Sequence, residues 1–337
     1  MKITLALGNP KDTGGPTKYA QNLAREFTAR GHSVRLVSYA GWMWKLPTGA
    51  RHILYALRLV PHALRSDAML AFDTMTVGAP AALACTLMRR PLMIRIGGDF
   101  VWETYVERTG DLVKFSQFYQ TRRGKWSLKE KLEVWITGLV VRGASRIVFN
   151  SNWQQAQWQP VYKFDMEKSG VLENVFPERR AGKSAANKSF VFAGRVMKLK
   201  NEPLVRRIFD RLAERYPGLE LDTRALPDKE HEERVASSYA VIVASVSEMA
   251  SNSIIDAVLY GKPFISTADT GLKERLDGTG LFVDTQNEVE FEHAVEQLLK
   301  PEVYLDIENK IKNFTFTRTW SDVASEALND LEKICTS

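Results

Sequence analysis

Two groups of residues in this 337-residue chain have the types and spacing to handle an anion and a hydroxylated ligand. The first is Arg195 and Lys200, five apart, just after the apolar run Phe190-Val-Phe-Ala-Gly194. Two fixed cations stabilise charge that builds on a diphosphate or similar group. Two solvated basic residues after a strand would give the same pattern. The second is Glu248, eight positions before Asp256, with Ser251, Asn252 and Ser253 between them. Those three are good helix N-caps, so the first helical turn offers free N–H groups and the positive end of a helix dipole to an anion. The alternative for Ser253 and Asp256 is a capping box with Asp in place of Glu, and for Glu248 a solvated loop acid.

The elements that must position these residues follow from the pattern around them. Val241 to Val243 is an apolar β-branched run, Ser245 to Ser253 a polar turn, and Ile254, Ile255, Val258 and Leu259 recur at helical spacing until Gly261. Pro263 to Ser266 is a second buried run. Strand, loop, helix and strand with no room for a hairpin make a βαβ unit with parallel strands. Its loop lies at the carboxyl edge of the sheet, where open α/β sheets bind ligands.

The same pattern opens the chain. Lys2 to Leu7 reads as a strand, Gly8 to Pro16 as a turn holding Gly14 and Gly15, and Ala20, Leu23, Ala24 and Phe27 as a helix stopped by Gly31. The turn is not G-x-G-x-x-G, so a nicotinamide cofactor is not indicated. Further strands are expected at Ser33–Ser38, Ala68–Phe72, Leu92–Ile96, Arg146–Phe149, Leu219–Thr223 and Leu281–Asp284. Gly97, Gly98 and Asp99 leave the Leu92–Ile96 run at the ligand edge, where Asp99 is either a site acid or a cap for the next segment. Pro177 to Ser189 is rich in small and charged residues and reads as a linker.

Length suits two domains, and 45% hydrophobic with 26% charged residues is ordinary globular composition. Cys85 and Cys335 fit no ligand cluster or C-x-x-C, which points to a reducing compartment and structural thiols. No apolar run is long enough to span a membrane, and the N-terminal apolar stretch is too short for a signal peptide. The net charge of +6 is uneven: residues 1–177 hold 24 Lys and Arg against 13 Asp and Glu, the remainder 22 against 27. A basic half suits an anionic partner, or merely aids solubility. Two stretches mix aromatic and basic residues. In 42–65, Trp42 and Trp44 lead into a helix with Ile53, Leu54, Leu57 and Val60 on one side and Arg51, Arg58 and Arg65 on another. In 111–131, Phe115, Phe118, Tyr119 and Trp126 alternate with Lys114, Arg122, Arg123 and Lys125. Both suit an anionic membrane surface.

In order along the chain, Gly14-Gly15, Gly98-Asp99 with Trp102-Glu103, Asn174, Gly194-Arg195 with Lys200, Glu248 with Asp256, and Glu274 resemble the motif set of family-4 retaining glycosyltransferases, in the subset with a G-D-Y-x-W-E-like segment. Departures are Phe100 for Tyr, Asn201 for a usual Gly, Asp256 for a usual Glu, and Met249, Ala250 and Ser251 for the usual glycines. The resemblance implies an α/β, GT-B fold: two Rossmann-like doubly wound parallel-sheet domains facing across a cleft. Residues 1–177 would form the acceptor domain and 178–318 the nucleotide-sugar domain, with a 319–337 helix crossing back to the first.

It further implies a metal-independent, hexosyltransferase-like enzyme that moves a sugar from a nucleotide-diphosphate donor to a glycan or lipid-linked acceptor, in cell-envelope polysaccharide or glycolipid synthesis. The donor is a substrate, and no cofactor or metal is implied. The catalytic set would be Asp99, Arg195, Lys200 and Glu248. Gly14, Gly15, Asn252, Ser253 and Asp256 would hold the donor, Asp256 at the ribose. The protein would be cytoplasmic, or peripheral on the inner face of the membrane, and no nucleic-acid partner is expected. The rival readings are a GT-B-fold sugar-nucleotide epimerase and a non-enzymatic basic protein that binds nucleic acid or membrane.

Overall fold

The computed structural model describes every residue except 10–14, 186, 195, 196, 225 and 337. It divides into two units, one of Met1–Val101, Lys125–Val175 and Arg318–Ser337, the other of Trp102–Gly124 and Phe176–Thr317. The first unit takes in the chain's final segment, and the second takes in 102–124, a stretch that sequence pattern groups with the first half.

The first unit is built on β1 (Lys2–Leu7), α1 (Gly15–Ala29), β2 (Ser33–Ser38), α2 (Thr48–Arg65), β3 (Ala68–Ala71), α3 (Gly78–Met88) and β4 (Leu92–Ile96). After β4 the chain passes through α4 (Phe100–Thr109) and α5 (Phe115–Thr121), which fall almost wholly in the second unit, and the first unit resumes with α6 (Leu128–Gly143), β5 (Arg146–Phe149), α7 (Asn152–Tyr162) and β6 (Ser169–Val171). The six strands are parallel, in the order β2-β1-β3-β4-β5-β6. β6, three residues long, has no strand-like signal in the sequence. The central strands are buried on both faces, which is why they read as continuous apolar runs rather than alternating ones. The step from β1 to β2 runs one way across the sheet and every later step runs the other way. Right-handed crossovers therefore place α1 on one face and α2, α3, α6 and α7 on the other.

The second unit holds β7 (Lys188–Phe192), α8 (Glu202–Arg215), β8 (Leu219–Asp222), α9 (Asp228–Ser237), β9 (Ala240–Val243), α10 (Asn252–Leu259), β10 (Phe264–Thr267), β11 (Leu281–Val283), α11 (Glu288–Leu298) and α12 (Pro301–Lys312). Its sheet is parallel, in the order β11-β10-β9-β7-β8. Phe190, Val191, Val241, Ile242, Ile254, Phe264, Val295 and Leu298 form the centre of its core. The last helix, α13 (Trp320–Thr336), buries Val323, Ala324, Ala327, Leu328 and Leu331 against Leu23, Phe27 and Leu70 of the first unit, on the α1 side.

In the segment 111–131 the aromatic rings do not form the exposed surface that their composition suggests. Phe115, Phe118, Tyr119 and Trp126 are all buried. Phe115 and Phe118 pack against Trp102 and Tyr105 of α4. Interleaved aromatics and cations are the same pattern whether the rings face lipid or a core, and here burial of the rings wins. In α2 the buried side is Tyr55, Ala56, Leu59 and Ala63, which leaves Ile53 and Leu57 outward.

Candidate functional site

Each sheet reverses its strand order once, between β1 and β3 in the first unit and between β7 and β9 in the second. At such a point the two flanking loops diverge and leave a crevice beyond the carboxyl ends of the strands. In the second unit those loops are 193–201, after β7, and 244–251, after β9. They carry the sequence-derived candidates.

Lys200 and Glu248 meet there. The Lys200 Nζ donates to Glu248 Oε1, and both side chains keep part of their surface exposed. Ser245 Oγ donates to the same Glu248 oxygen at 2.5 Å. The Glu248 backbone is pinned as well: its N–H donates to Asp269 O at 3.0 Å, and its carbonyl accepts from Gly271 N at 3.1 Å. Lys200 ends a short 3-10 turn, Lys198–Lys200, and the chain then passes through Asn201 at φ 55° into α8. Asn is one of the few side chains that tolerate the left-handed region, which accounts for its standing where the resembled motif has Gly. Its Nδ2 also donates to Thr285 O at 3.0 Å, and Thr285 Oγ1 donates to Ser245 O at 2.9 Å. That chain of bonds fixes the two loops to each other. At Gly194 a Cβ would come within 2.7 Å of the Phe192 ring, so the close approach requires glycine.

The segment 102–124 braces the crevice. Lys198 Nζ donates to Glu107 O at 2.8 Å, and Leu199 N donates to Glu107 Oε1 at 3.1 Å. Phe115 N donates to Ser247 Oγ at 2.8 Å, and Lys114 pairs with Asp284 at 2.7 Å. Burial is the largest influence on the Asp284 carboxyl and would raise it, but the hydrogen bond and charge of Lys114 together with the Gln286 N–H outweigh it and hold the group below its usual range. Sequence reasoning missed Ser245, Ser247, Asp269 and Glu107. The two serines, two residues apart just after a buried strand, were the available signal; Glu107 and Asp269 had none, since their partners are remote in sequence.

The other candidates fall as follows. Arg195 and Gly14 lie outside the described residues. Gly15 is exposed and opens α1. Asn252 and Ser253 form the first turn of α10 and Asp256 its second, half-buried. Ser251, the N-cap, makes no side-chain capping bond. Glu274 is exposed in a turn.

Asp99 belongs to the first unit and is only 1% exposed. The carboxyl end of β4 beside it is occupied by Arg95, whose guanidinium lies 3.6 Å over the Tyr19 ring and donates to Asn174 Oδ1 at 2.6 Å. Asn150 Nδ2 donates to Gly97 O at 3.0 Å. Burial raises the Tyr19 hydroxyl, opposed by the nearby Arg95 charge. Arg95, Tyr19 and Asn150 had no sequence signal that set them apart from core or loop residues.

Residues 171–301 match the family model described as Glycosyl transferases group 1, a stretch that includes both loops of the second-unit crevice. No curated relative matches the sequence. Among solved structures, sucrose-phosphate synthase from Thermosynechococcus elongatus aligns with a TM-score of 0.68 at 12% identity, over 99% of each chain. The Anabaena protein HepE, solved in complex with UDP-glucose, aligns at 0.65 and 14% identity over 100% of this chain and 98% of its own. WaaG, a glycosyltransferase involved in lipopolysaccharide biosynthesis, aligns at 0.62 and 13% identity over 98% and 99%. The fold is the two-domain α/β architecture of GT-B glycosyltransferases. Family match and fold together support a glycosyltransferase.

Proposed function

We propose that this chain is a retaining, metal-independent glycosyltransferase that moves a hexosyl group from a nucleotide-diphosphate donor to a hydroxyl of a glycan or lipid-linked acceptor. The observation that carries this reading is the Lys200–Glu248 pair at the strand-order reversal of the second sheet, within the stretch matched by the family model. In transfer, the bond from the sugar C1 to the diphosphate breaks, the bond from C1 to the acceptor oxygen forms, the acceptor hydroxyl's proton passes to the departing phosphate oxygen, and the nucleoside diphosphate leaves. Negative charge grows on the departing phosphate oxygen. Lys200, with Arg195, stabilises it there, and a pre-positioned cation costs no reorganisation at that moment. Glu248, held by Ser245, accepts from sugar hydroxyls, while the Asn252 and Ser253 backbone N–H groups face phosphate. Asp256 serves the ribose. Asp99 acts on the acceptor side. The two cations and the helix terminus take up the diphosphate charge. Two neighbours solved with UDP-glucose and with UDP make uridine nucleotides the first donors to try.

Calorimetric titration with UDP-glucose and a panel of other nucleotide sugars is the test. At least one should bind to the wild type and lose about tenfold or more in affinity in Lys200→Ala, as expected when a charge-assisted contact of about 1.5–3 kcal/mol is removed. A panel with no binder, or a binder indifferent to Lys200, overturns the assignment. Product formed from the nucleotide sugar alone, without acceptor, would point to the epimerase instead.

A further inference from the structure

The helix α6 is turned inside out. Its sequence reads LKEKLEVWITGLVVRG, and its two carboxylates face inward: Glu130 is 3% exposed and Glu133 6%. Glu130 closes a capping box with Ser127, which accounts for its position. Glu133 is reached by Lys129 Nζ at 3.7 Å, and burial raises its carboxyl. Leu128, Leu132, Trp135 and Leu139, spaced 4, 3 and 4, face outward, with Leu128 85% and Trp135 59% exposed. Leucines at this spacing make a continuous apolar stripe along one side of a helix. In an ordinary surface helix that stripe is the buried one.

The stripe is not isolated. A Cβ on Gly78, at the start of α3, would lie 3.6 Å from Val140 of α6, so the two helices touch. At its other end α3 meets α2, where Arg90 donates to Leu64 O at 3.3 Å. α3 exposes Leu83 and Leu87, and α2 exposes Ile53, Leu57 and Leu64; Trp42 and Trp44 stand in the 3-10 turn Gly41–Lys45 before it. These three helices lie on one face of the first sheet. Contiguous exposed apolar side chains of this extent on a folded domain mark a surface that another body covers.

Charge decides what that body is. Residues 41–65, 78–90 and 125–143 of the first unit hold ten Lys and Arg, and their only acids are Glu130 and Glu133, both buried. Arg58, Arg65, Arg89, Arg90, Lys125, Lys129 and Lys131 are exposed around the apolar positions. A second copy would bring the same cations against themselves. Leucines do not suit a nucleic-acid backbone. An anionic phospholipid surface suits both features: apolar side chains enter the acyl boundary while basic residues at the rim meet headgroups. We infer that the α2–α3–α6 face of the first unit docks on an anionic bilayer, with the α6 stripe as its apolar centre. This keeps the 42–65 stretch, drops the aromatic residues of 111–126, which are buried, and adds the exposed apolar positions of α3 and α6. It holds whether or not the proposed transfer reaction is correct.

The test is co-sedimentation of the full chain with phosphatidylcholine vesicles, with and without phosphatidylglycerol. Binding is expected only with the anionic lipid, weakened but not abolished by high salt because part of it is apolar. The double variant Leu132→Ser/Trp135→Ser changes only exposed positions and should lower partitioning at least tenfold with an unchanged melting temperature. Leu305→Ser, an exposed leucine on α12, should leave partitioning unchanged. Lack of binding to anionic vesicles overturns the inference. So does equal binding by wild type and the α6 variant, or a concentration-dependent dimer that the α6 variant abolishes while vesicle binding persists. Retention on single-stranded DNA that vesicles fail to compete would transfer the face to nucleic acid.

Discussion

The two strand-order reversals share a topology and differ in how their carboxylates are used. Beyond β3 in the first unit, Asp73 turns its charge onto its own backbone: Oδ1 accepts from Val77 N at 2.8 Å and from Gly78 N at 3.2 Å, at the start of α3. Burial raises this carboxyl, and those N–H groups, with Met75 and Thr76, pull it back. A Cβ on Gly78 would meet Asp73 O at 2.2 Å, so the turn is tight enough to require glycine. Beyond β9 in the second unit, Glu248 faces a lysine from the neighbouring loop, and both retain exposed surface. One crevice has spent its acid on closing a turn. The other keeps a cation and an acid opposed, with part of each side chain exposed. A shared fold supplies the place for chemistry, and only the side chains in it decide whether chemistry happens.

The contrast breaks if the second-unit pair proves structural. Replacing both partners by neutral groups of similar size, Lys200→Met with Glu248→Gln, avoids stranding a charge and should keep the melting temperature within a few degrees. Transfer, followed as nucleoside diphosphate release, should fall by about 10²–10³-fold, the usual cost of losing a transition-state charge partner. The reverse profile is expected for Asp73→Ala. It leaves backbone N–H groups unsatisfied and should cost about 1–3 kcal/mol of stability, seen as a clear drop in melting temperature, with nucleotide-sugar affinity unchanged.

A third acid sharpens the comparison. Asp222 is in the second unit, on β8, and is ion-paired with Arg224 and Arg234. Hydrogen bonds from Arg224 hold its carboxyl down to about 2. A carboxylate depressed by folding stabilises the protein above its unfolded range and loses that contribution as pH falls through the folded value. Asp222→Asn should therefore lower the melting temperature modestly at pH 6, and the gap should close as pH approaches 2. Activity should not move. Loss of transfer in this variant would mean that ion pairing anywhere in the unit matters, not the pair at the reversal.

Much of this was legible before folding. The parallel strands show as apolar runs because both their faces are covered, and the βαβ order of the second half follows from a run, a turn, a periodic stretch and a run. Glu248 and Lys200 stood out by type and spacing, and their loops were placed at the carboxyl edge by the same logic. The 42–65 stretch was flagged for membrane contact on its composition.

What composition could not choose was direction. The aromatic and basic residues of 111–126 have the makeup of an exposed surface, yet their rings are buried, because Ser247, Asp284 and Trp102 supply partners that no local pattern announces. In α6 the apolar period was readable, but a period says which residues share a side, not which side faces the sheet. Capping by Ser127 and the packing of α3 against Val140 settled that. The sequence by itself determined the elements, their parallel pairing and the charged residues at the strand ends, since these depend on neighbours along the chain. The tertiary structure alone brought Lys200 to Glu248 across 48 positions and left the α6 leucines outside, because both depend on contacts whose free energy exists only once the sheets are assembled.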